Sequence, residues 1–203
     1  MLWAILLVAM LVVEGMMLSL PALSHLSRTF LPLVLLLAGC IVLTFHRKTE
    51  ARLAVFIGVV TVVVLLTFFI NSRTGLLSGS FTFGDTLGVQ VGGVPLAFCA
   101  LWVILLYCTS CIAWRYTENP VLRPLSSALL MVVMDIFLEP IAARFDLWYW
   151  PESDVPISSY ITWFVLSLIL AVFFFRISLD ARNRLARYVY VILLGFFFVL
   201  AFV

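Results

Sequence analysis

Charged residues are scarce in this chain: Lys, Arg, Asp and Glu make up only 11% of its 203 residues, whereas 65% are hydrophobic. A soluble domain carries about 25% charged and about 45–50% apolar residues. Twelve basic and ten acidic residues leave a net charge of +2, which provides no basic field for a nucleic acid. The composition therefore excludes a soluble enzyme, a nucleic-acid-binding protein and a disordered tail. We expect a single integral-membrane domain over residues 1–203.

Residue types that bind metals are also few, with two histidines and four cysteines. Cys108 and Cys111 form a CxxC pair, but a zinc site of this type needs a second pair of ligands. The sequence also lacks a nucleotide-binding motif. We therefore expect no metal and no bound cofactor, and we expect the cysteines to be small buried residues of packed helices.

Long apolar runs, by contrast, fill most of the chain. A helix needs about 20 apolar residues to cross about 30 Å of hydrocarbon. The sequence predicts an all-α, polytopic membrane helix bundle with about seven transmembrane helices. The runs that meet or approach the required length are residues 2–20, 27–45, 53–70, 94–113, 124–145, 157–175 and 188–203.

The loops between these runs alternate in charge. Nine of the twelve basic residues lie in the three loops 46–52, 115–123 and 176–187. The other loops hold only Arg28, Arg73 and Arg144, with several acidic residues beside them. Because basic loops stay on the cytoplasmic side, this pattern predicts a multi-pass protein of the cell membrane with a cytoplasmic amino terminus.

One long stretch, residues 71–93, is predicted to be non-helical and holds six of the ten glycines. It is too apolar and too rich in glycine for a plain solvated linker. We expect it to form a partly buried loop between helices 3 and 4, folded back over the outer end of the bundle, where irregular backbone can be buried in protein. The alternative is an ordinary surface loop.

Three acidic residues, Glu14, Asp135 and Glu139, fall inside the predicted spans. A charged residue at the bilayer centre costs at least about 2.5–3.5 kcal/mol on insertion scales, so each of them needs a reason to be there. Asp135 and Glu139 are four residues apart, which places them on one face of a helix, about 6 Å apart along its axis. Desolvation and mutual repulsion favour a neutral carboxylic acid at this pair.

A neutral acid in an apolar environment has three possible roles. It can protonate a weakly basic substrate, it can form a hydrogen bond to a neighbouring helix, or it can belong to a proton or ion path. Pro140 follows the pair directly, removes a backbone donor and is expected to kink the helix there. The residues alone leave the three roles open.

Three consecutive aromatic residues, Trp148, Tyr149 and Trp150, follow at the predicted outer boundary of the membrane. Such a cluster is typical of the interfacial aromatic belt. It can also form a rim of aromatic faces that holds a polyene or stabilises a developing carbocation. Both interpretations stay open from the sequence.

Two motifs follow one another along the chain. One is Thr74-Gly75, Gly79-Ser80-Phe81-Thr82-Phe83, Leu87-Gly88 and Gly93-Val94-Pro95-Leu96. The other is Asp135-Ile136-Phe137-Leu138-Glu139-Pro140-Ile141-Ala142, then Leu147-Trp148-Tyr149-Trp150 and Pro156-Ile157-Ser158-Ser159-Tyr160. Together they resemble the membrane carotenoid-biosynthesis hydratases, which include the carotenoid 1,2-hydratases of bacteria and bisanhydrobacterioruberin hydratase of archaea. Many members also carry a Glu about two turns before the Thr-Gly pair, where this chain has Thr67-Phe68-Phe69-Ile70-Asn71 and no acid.

The resemblance implies a cofactor-independent hydro-lyase of isoprenoid metabolism. Such an enzyme adds water to the terminal C=C of an acyclic carotenoid end group, so its partners are the carotenoid, water and the lipid bilayer. A homo-oligomer or an association with other carotenoid enzymes is a further expectation. The roles that follow are catalysis by Asp135 and Glu139, substrate binding by Trp148, Tyr149, Trp150, Phe81 and Phe83, and support from Glu14, Asp85 and Arg144.

Other functions fit the same residues. A carotenoid cyclase or isomerase would protonate the same polyene but would let a neighbouring double bond capture the cation. A proton-coupled small-molecule transporter would use the intramembrane acids as a path, although the chain is short and shows no inverted repeat. A non-catalytic membrane subunit would pair the acids with helices of a partner.

Overall fold

The computed structural model of the chain describes residues 2–20, 23–46, 51–151 and 154–202. The described residues form an all-α helical bundle, as predicted. Residues 47–50 of one basic loop and Val203 of the last predicted run lie outside the described residues. The elements are α1 Leu2–Ser19, α2 Ser24–Thr44, α3 Ala51–Thr74, β1 Thr82–Phe83, β2 Gln90–Val91, β3 Val94–Pro95, α4 Leu96–Tyr116, α5 Leu122–Ala142, β4 Trp148–Tyr149, α6 Ile157–Arg176 and α7 Arg184–Phe202.

Five helices, α3 to α7, are long and apolar enough to cross a membrane. In α1 and α2 the apolar segments found among the described residues, Ile5–Met17 and Phe30–Thr44, are shorter. The chain thus has the helices of a membrane protein with several spans. That α1 and α2 also cross, which would give seven spans, stays a prediction.

The outer surface of the bundle is apolar. On α6, the side chains of Ile157, Ile161, Val165 and Ile169 are exposed and stand four residues apart, so they form one stripe along the helix. Exposed apolar stripes of this length are unfavourable in water but are well solvated by lipid chains. The burial pattern therefore agrees with a helix whose outer side faces hydrocarbon.

The central helix of the bundle is α4, which packs against α2, α3, α5, α6 and α7. Cys99, Cys108 and Cys111 are buried in it, as predicted. Cys40 on α2 is exposed instead, so the prediction of a buried residue is wrong there. A small apolar side chain can face lipid as well as a protein core.

Buried polar contacts fix α4 against its neighbours. The hydroxyl groups of Thr109 on α4 and Ser127 on α5 are 2.8 Å apart. Two residues earlier on α4, the hydroxyl of Tyr107 lies 2.8 Å from Nδ1 of His46 and accepts a hydrogen bond from Nδ2 of Asn183 at 3.3 Å. Such bonds between helices set their relative position within the bundle.

The segment predicted as non-helical from residue 71 begins later than predicted, because α3 continues to Thr74. The hydroxyl groups of Ser72 and Thr74 donate to the carbonyls of Phe69 and Ile70, so these polar residues stay within the last turn of the helix. The glycine-rich loop then occupies residues 75–93.

Two short strand pairs organise the glycine-rich loop. Strands β2 and β3 form a hairpin whose turn residues, Gly92 and Gly93, have φ of 63° and 89°, the left-handed conformation that this turn favours. Strand β1 pairs antiparallel with β4, with Phe83 opposite Trp148. Phe81 and Leu87 are buried. The loop is therefore packed against the bundle, and the alternative of an ordinary surface loop is wrong.

Candidate functional site

The buried face of α5 carries both predicted carboxyl groups. Asp135 is 0% and Glu139 7% exposed, whereas Leu129, Val133 and Ile136 face outward. The prediction that the two acids share one face of the helix is confirmed, and this face is buried. The helix continues through Pro140 and ends at Ala142.

A tight turn after α5 brings the aromatic triplet back over the end of that helix. Asp146 adopts φ of 58°, and the N–H of Leu147 donates to the carbonyl of Ala142 at 2.8 Å. The next residues form β4, in which successive side chains point to opposite sides. Trp148 therefore points inward and is buried, whereas Tyr149 points outward and is 39% exposed.

Both tryptophans bind the same carboxyl oxygen. The indole N–H of Trp148 donates to Oε2 of Glu139 at 3.1 Å, and that of Trp150 donates to the same atom at 2.9 Å. Ser159, near the start of α6, lies beside this carboxyl group, and Tyr160 interacts electrostatically with both acids. Glu139 is thus a fixed acid with two N–H donors on one oxygen.

Asp135 has a different environment. It lies one turn deeper in the bundle and interacts electrostatically with Glu139. Neither of its carboxyl oxygens has a hydrogen-bond partner among the described residues. A buried carboxyl group without a hydrogen-bond partner is strongly unfavourable in its ionised form.

Aromatic rings surround the Glu139 carboxyl and leave a small cavity among them. Within it, the space open to the centre of a water molecule is about 10 Å³, which is room for about one water. The rings pack edge to face, for example Phe83 and Phe98 with centroids 5.0 Å apart. We name these rings the aromatic cage; they belong to Phe68, Phe81, Phe83, Phe98, Trp148, Trp150 and Trp163.

Asn71 anchors the glycine-rich loop beside the cage. Its Nδ2 donates to the hydroxyl of Ser78 at 2.6 Å and to the carbonyl of Gly79 at 3.1 Å. Its Oδ1 accepts the N–H groups of Leu77 and Ser78 at 2.9 and 3.1 Å. Ser78 lines the cavity, so the buried amide of Asn71 positions part of the cavity wall.

A second anchor holds the loop against the turn after α5. The N–H of Gly84 donates to the carbonyl of Leu147 at 2.9 Å, and the N–H of Asp85 donates to the side chain of Asp146 at 3.1 Å. A Cβ at position 84 would overlap the carbonyl oxygen of Asp146. This close approach requires glycine and keeps β1 next to β4.

The structure brings together some of the predicted site residues and separates others. Phe81, Phe83, Trp148, Trp150 and Glu139 line one cavity, with Asp135 one turn below it.

Besides Asp135, four predicted site residues do not line the cage. The hydroxyl of Tyr149 donates to Asp146 on the outer side. The Asp85 side chain is exposed, and the Arg144 guanidinium lies over the ring of Phe145, 4.6 Å from its centroid. Glu14 lines a separate cavity between α1 and α2. Strand alternation and helix packing decide where each of these side chains points. The residue types alone do not give that direction.

Sequence reasoning missed Phe68, Phe98, Ser159 and Trp163. Ser159 and Trp163 are four residues apart on α6, and this polar-aromatic pair within an apolar helix was a usable signal. Phe68 and Phe98 carried no such signal, because phenylalanine is frequent in every apolar run of the chain. Asn71 entered the sequence analysis only as part of a stretch that lacks the Glu of many family members, and its role in the loop was missed.

The described residues contain no group of three or more His, Cys, Asp or Glu side chains arranged to hold a metal ion. The lining residues with polar side-chain atoms are Ser78, Glu139, Ser159 and the three tryptophans. This set offers one acid, two hydroxyl groups and indole N–H donors within an apolar wall, and two of the indoles bind the acid. It is suited to proton transfer next to an apolar substrate.

Comparison with known protein families gives one match. The family described as carotenoid biosynthesis protein matches residues 29–203, which is most of the chain. No curated protein and no solved structure matches. The matched range includes Asp135, Glu139 and every ring of the aromatic cage, and it leaves out Glu14.

Proposed function

The chain belongs to the carotenoid biosynthesis protein family, and we propose that it is a hydro-lyase that adds water to the terminal C=C of an acyclic carotenoid. One observation carries the proposal. The carboxyl group of Glu139 accepts two indole N–H groups on one oxygen, inside an aromatic cage with room for about one water.

The reaction is balanced by one proton and one water. The acid gives its proton to the less substituted carbon of the terminal double bond, which leaves a tertiary cation on the neighbouring carbon. A water molecule forms a C–O bond to that carbon and then releases a proton to the carboxylate. The products are a tertiary alcohol and the regenerated acid. No electron is gained or lost overall, so the reaction as written needs neither a redox cofactor nor a metal.

Glu139 is the proton donor in this proposal, because it is the carboxyl group that lines the cavity. Protonation of an alkene leaves a negative charge on the acid, and the indole N–H groups of Trp148 and Trp150 already point at the oxygen that would carry it. Donors that are fixed where charge develops lower the barrier more than donors that must reorient.

The aromatic cage stabilises the positive charge that forms on the substrate. The faces of aromatic rings attract cations, and several rings lie within one cavity here. The apolar wall also excludes bulk water. The cation then has two fates: it is captured by the water held beside it, or it loses a proton and returns to an alkene. A water beside the cation gives hydration, whereas a neighbouring double bond in the water's place would give cyclisation.

Asp135 holds the water in this proposal. It lies one helical turn below the cavity and neither of its carboxyl oxygens has a described partner, so its carbonyl oxygen can accept a hydrogen bond from a water between the two acids. In this proposal Asp135 stays protonated, which lets Glu139 become negative without repulsion from a second charge. Asp135 thereby acts on water capture more than on the first proton transfer.

The membrane setting completes the proposal. We place the chain in the cell membrane with its amino terminus in the cytoplasm, because nine basic residues lie in the loops of one side. The carotenoid then reaches the site from the bilayer in which it is dissolved, and it needs no soluble carrier. Assembly into a homo-oligomer or with other carotenoid enzymes stays a prediction.

Incubation of membranes containing the protein with an acyclic carotenoid in ¹⁸O-labelled water tests the function. We expect a tertiary alcohol that carries the label, detected by mass spectrometry, and none from membranes that lack the protein. An isomer of unchanged mass would replace the proposal with a cyclase or isomerase. Absence of any product with several end groups would favour a transporter or a non-catalytic subunit.

A further inference from the structure

A second cavity lies at the end of the bundle opposite the aromatic cage. It has a volume of about 450 Å³ and forms where the end of α4 meets the start of α7. Phe98 of the cage and Arg115 of this cavity lie about 26 Å apart along α4, so the two sites are separate. We name the cavity the arginine pocket, after Arg115, Arg182, Arg184 and Arg187, which line it.

The charged side chains that line the arginine pocket are all basic. No acidic side chain lines it, and none of the four guanidinium groups forms an ion pair within the described part of the chain. Asp180 lines an adjacent cavity, where its carboxyl accepts the backbone N–H of Arg182 at 3.0 Å. Four guanidinium groups around one space repel each other unless an anion lies among them.

One of these guanidinium groups has an unused donor. Nη2 of Arg187 donates to the hydroxyl of Tyr188 at 2.9 Å, but its Nε is buried and has no described hydrogen-bond partner. A buried N–H without a partner is costly, and an oxygen ligand in the pocket would satisfy it. The pocket therefore offers both a charge and a directed donor to an anion.

The surroundings of the pocket point to the membrane surface. Trp114 and Tyr116 line it, and the guanidinium of Arg182 lies 5.6 Å from the centre of a Trp114 ring. Tryptophan and tyrosine are enriched where a membrane protein passes through the headgroup region. The arginines thus lie at the depth of lipid headgroups.

An apolar track leads from the pocket along α7. Below Arg184, the side chains of Tyr188, Val191 and Val199 are exposed on one side of the helix. A ligand with its charged group in the pocket can therefore lay hydrocarbon chains along α7. A free phosphate ion would use the arginines but not this track.

We propose that the arginine pocket binds the phosphate group of an anionic phospholipid from the adjoining leaflet. Guanidinium groups match phosphate oxygens in pairs, and several arginines at headgroup depth form the type of basic pocket that holds acidic lipid headgroups. The bound lipid ties α4 to α7 and so stabilises the bundle. The proposal does not depend on the chemistry at Glu139.

Thermal unfolding of the purified full-length protein in detergent tests the proposal. Phosphatidylglycerol and zwitterionic phosphatidylcholine are titrated in parallel, and inorganic phosphate and pyrophosphate serve as free sources of the same chemistry. We expect phosphatidylglycerol to raise the unfolding temperature and the other three to have little effect. The double variant R182Q/R184Q should need at least about tenfold more phosphatidylglycerol for the same shift.

Matched controls decide the result. R73Q removes an exposed arginine at the other end of the bundle and should respond like the wild type. If R182Q/R184Q does not accumulate, R115Q provides the same test from another wall of the pocket. Equal stabilisation by phosphatidylcholine, or an unchanged response of the pocket variants, would overturn the proposal. Full stabilisation by inorganic phosphate or pyrophosphate would overturn the assignment to a lipid.

Discussion

Trp150 donates its indole N–H to the carboxyl group of Glu139 across 2.9 Å, although the two residues are eleven positions apart and belong to different segments. The turn at Asp146 makes the contact possible by reversing the chain directly after α5. Trp148 donates to the same oxygen from the same strand. An acid held in this manner has one oxygen occupied and the rest of its carboxyl group available to the cavity.

Removal of an indole N–H should therefore impair the reaction more than removal of the nearby Tyr149 hydroxyl. We expect W148F and W150F each to lower the hydration rate by about 10-fold to 100-fold, because each loses one bond to a developing charge worth about 1.5–3 kcal/mol. Product formation per mole of protein, measured by chromatography, checks this. Y149F is the matched control, and its rate should stay near that of the wild type because Tyr149 points outward. Equal losses in all three variants would contradict the assignment.

The close approach at Gly84 leads to a prediction about the loop. G84A should separate β1 from β4, because its Cβ would overlap the carbonyl oxygen of Asp146. We expect a loss of about 1–3 kcal/mol in stability and a marked loss of activity. Thermal unfolding in detergent measures the first. G58A is the control, since no atom outside its own helix lies within 4 Å of an added Cβ there. A stable and active G84A would show that the strand pairing does not position the cage.

The four hydrogen bonds of Asn71 give a third prediction. N71A should leave buried groups of residues 77–79 without partners and destabilise the protein by about 1–3 kcal/mol or more. Because Ser78 lines the cavity, activity should fall as well. Limited proteolysis of the loop, together with the unfolding temperature, reports the effect. S72A removes a hydroxyl that only bonds back to its own helix and should behave like the wild type. Unchanged protection of the loop in N71A would contradict this role.

The predicted orientation of the chain can be checked by introducing one exposed cysteine at a time, while the buried Cys99, Cys108 and Cys111 stay in place. In a C40S background, V89C lies in the glycine-rich loop and E118C in the basic loop between α4 and α5. We expect a membrane-impermeant maleimide to label V89C from outside intact cells and E118C only after the membrane is opened. The reverse pattern would invert the topology and place the cage on the cytoplasmic side.

Sequence periodicity was sufficient for the helices but not for the site. Apolar runs located the seven helices of the described residues, and the spacing of Asp135 and Glu139 predicted that both share one face of α5, which is buried. The two indole bonds to Glu139 depend on a turn after α5 and on pairing with a strand 65 residues earlier, since Phe83 lies opposite Trp148. Such contacts between distant segments leave no periodic signal. For the same reason Phe68 and Phe98, which complete the cage from α3 and α4, could not be distinguished from other phenylalanines.

Deuterium exchange tests most directly whether Glu139 protonates the carotenoid end group. The wild-type protein, E139Q and D135N are incubated with an acyclic carotenoid in D₂O, and mass spectrometry follows deuterium in the alcohol and in recovered substrate. The wild type should give a deuterated alcohol, and E139Q should give neither alcohol nor exchange. D135N should form less alcohol yet still exchange deuterium into the substrate, because protonation persists while water capture fails. A deuterated alcohol formed by E139Q at the wild-type rate would contradict the central claim.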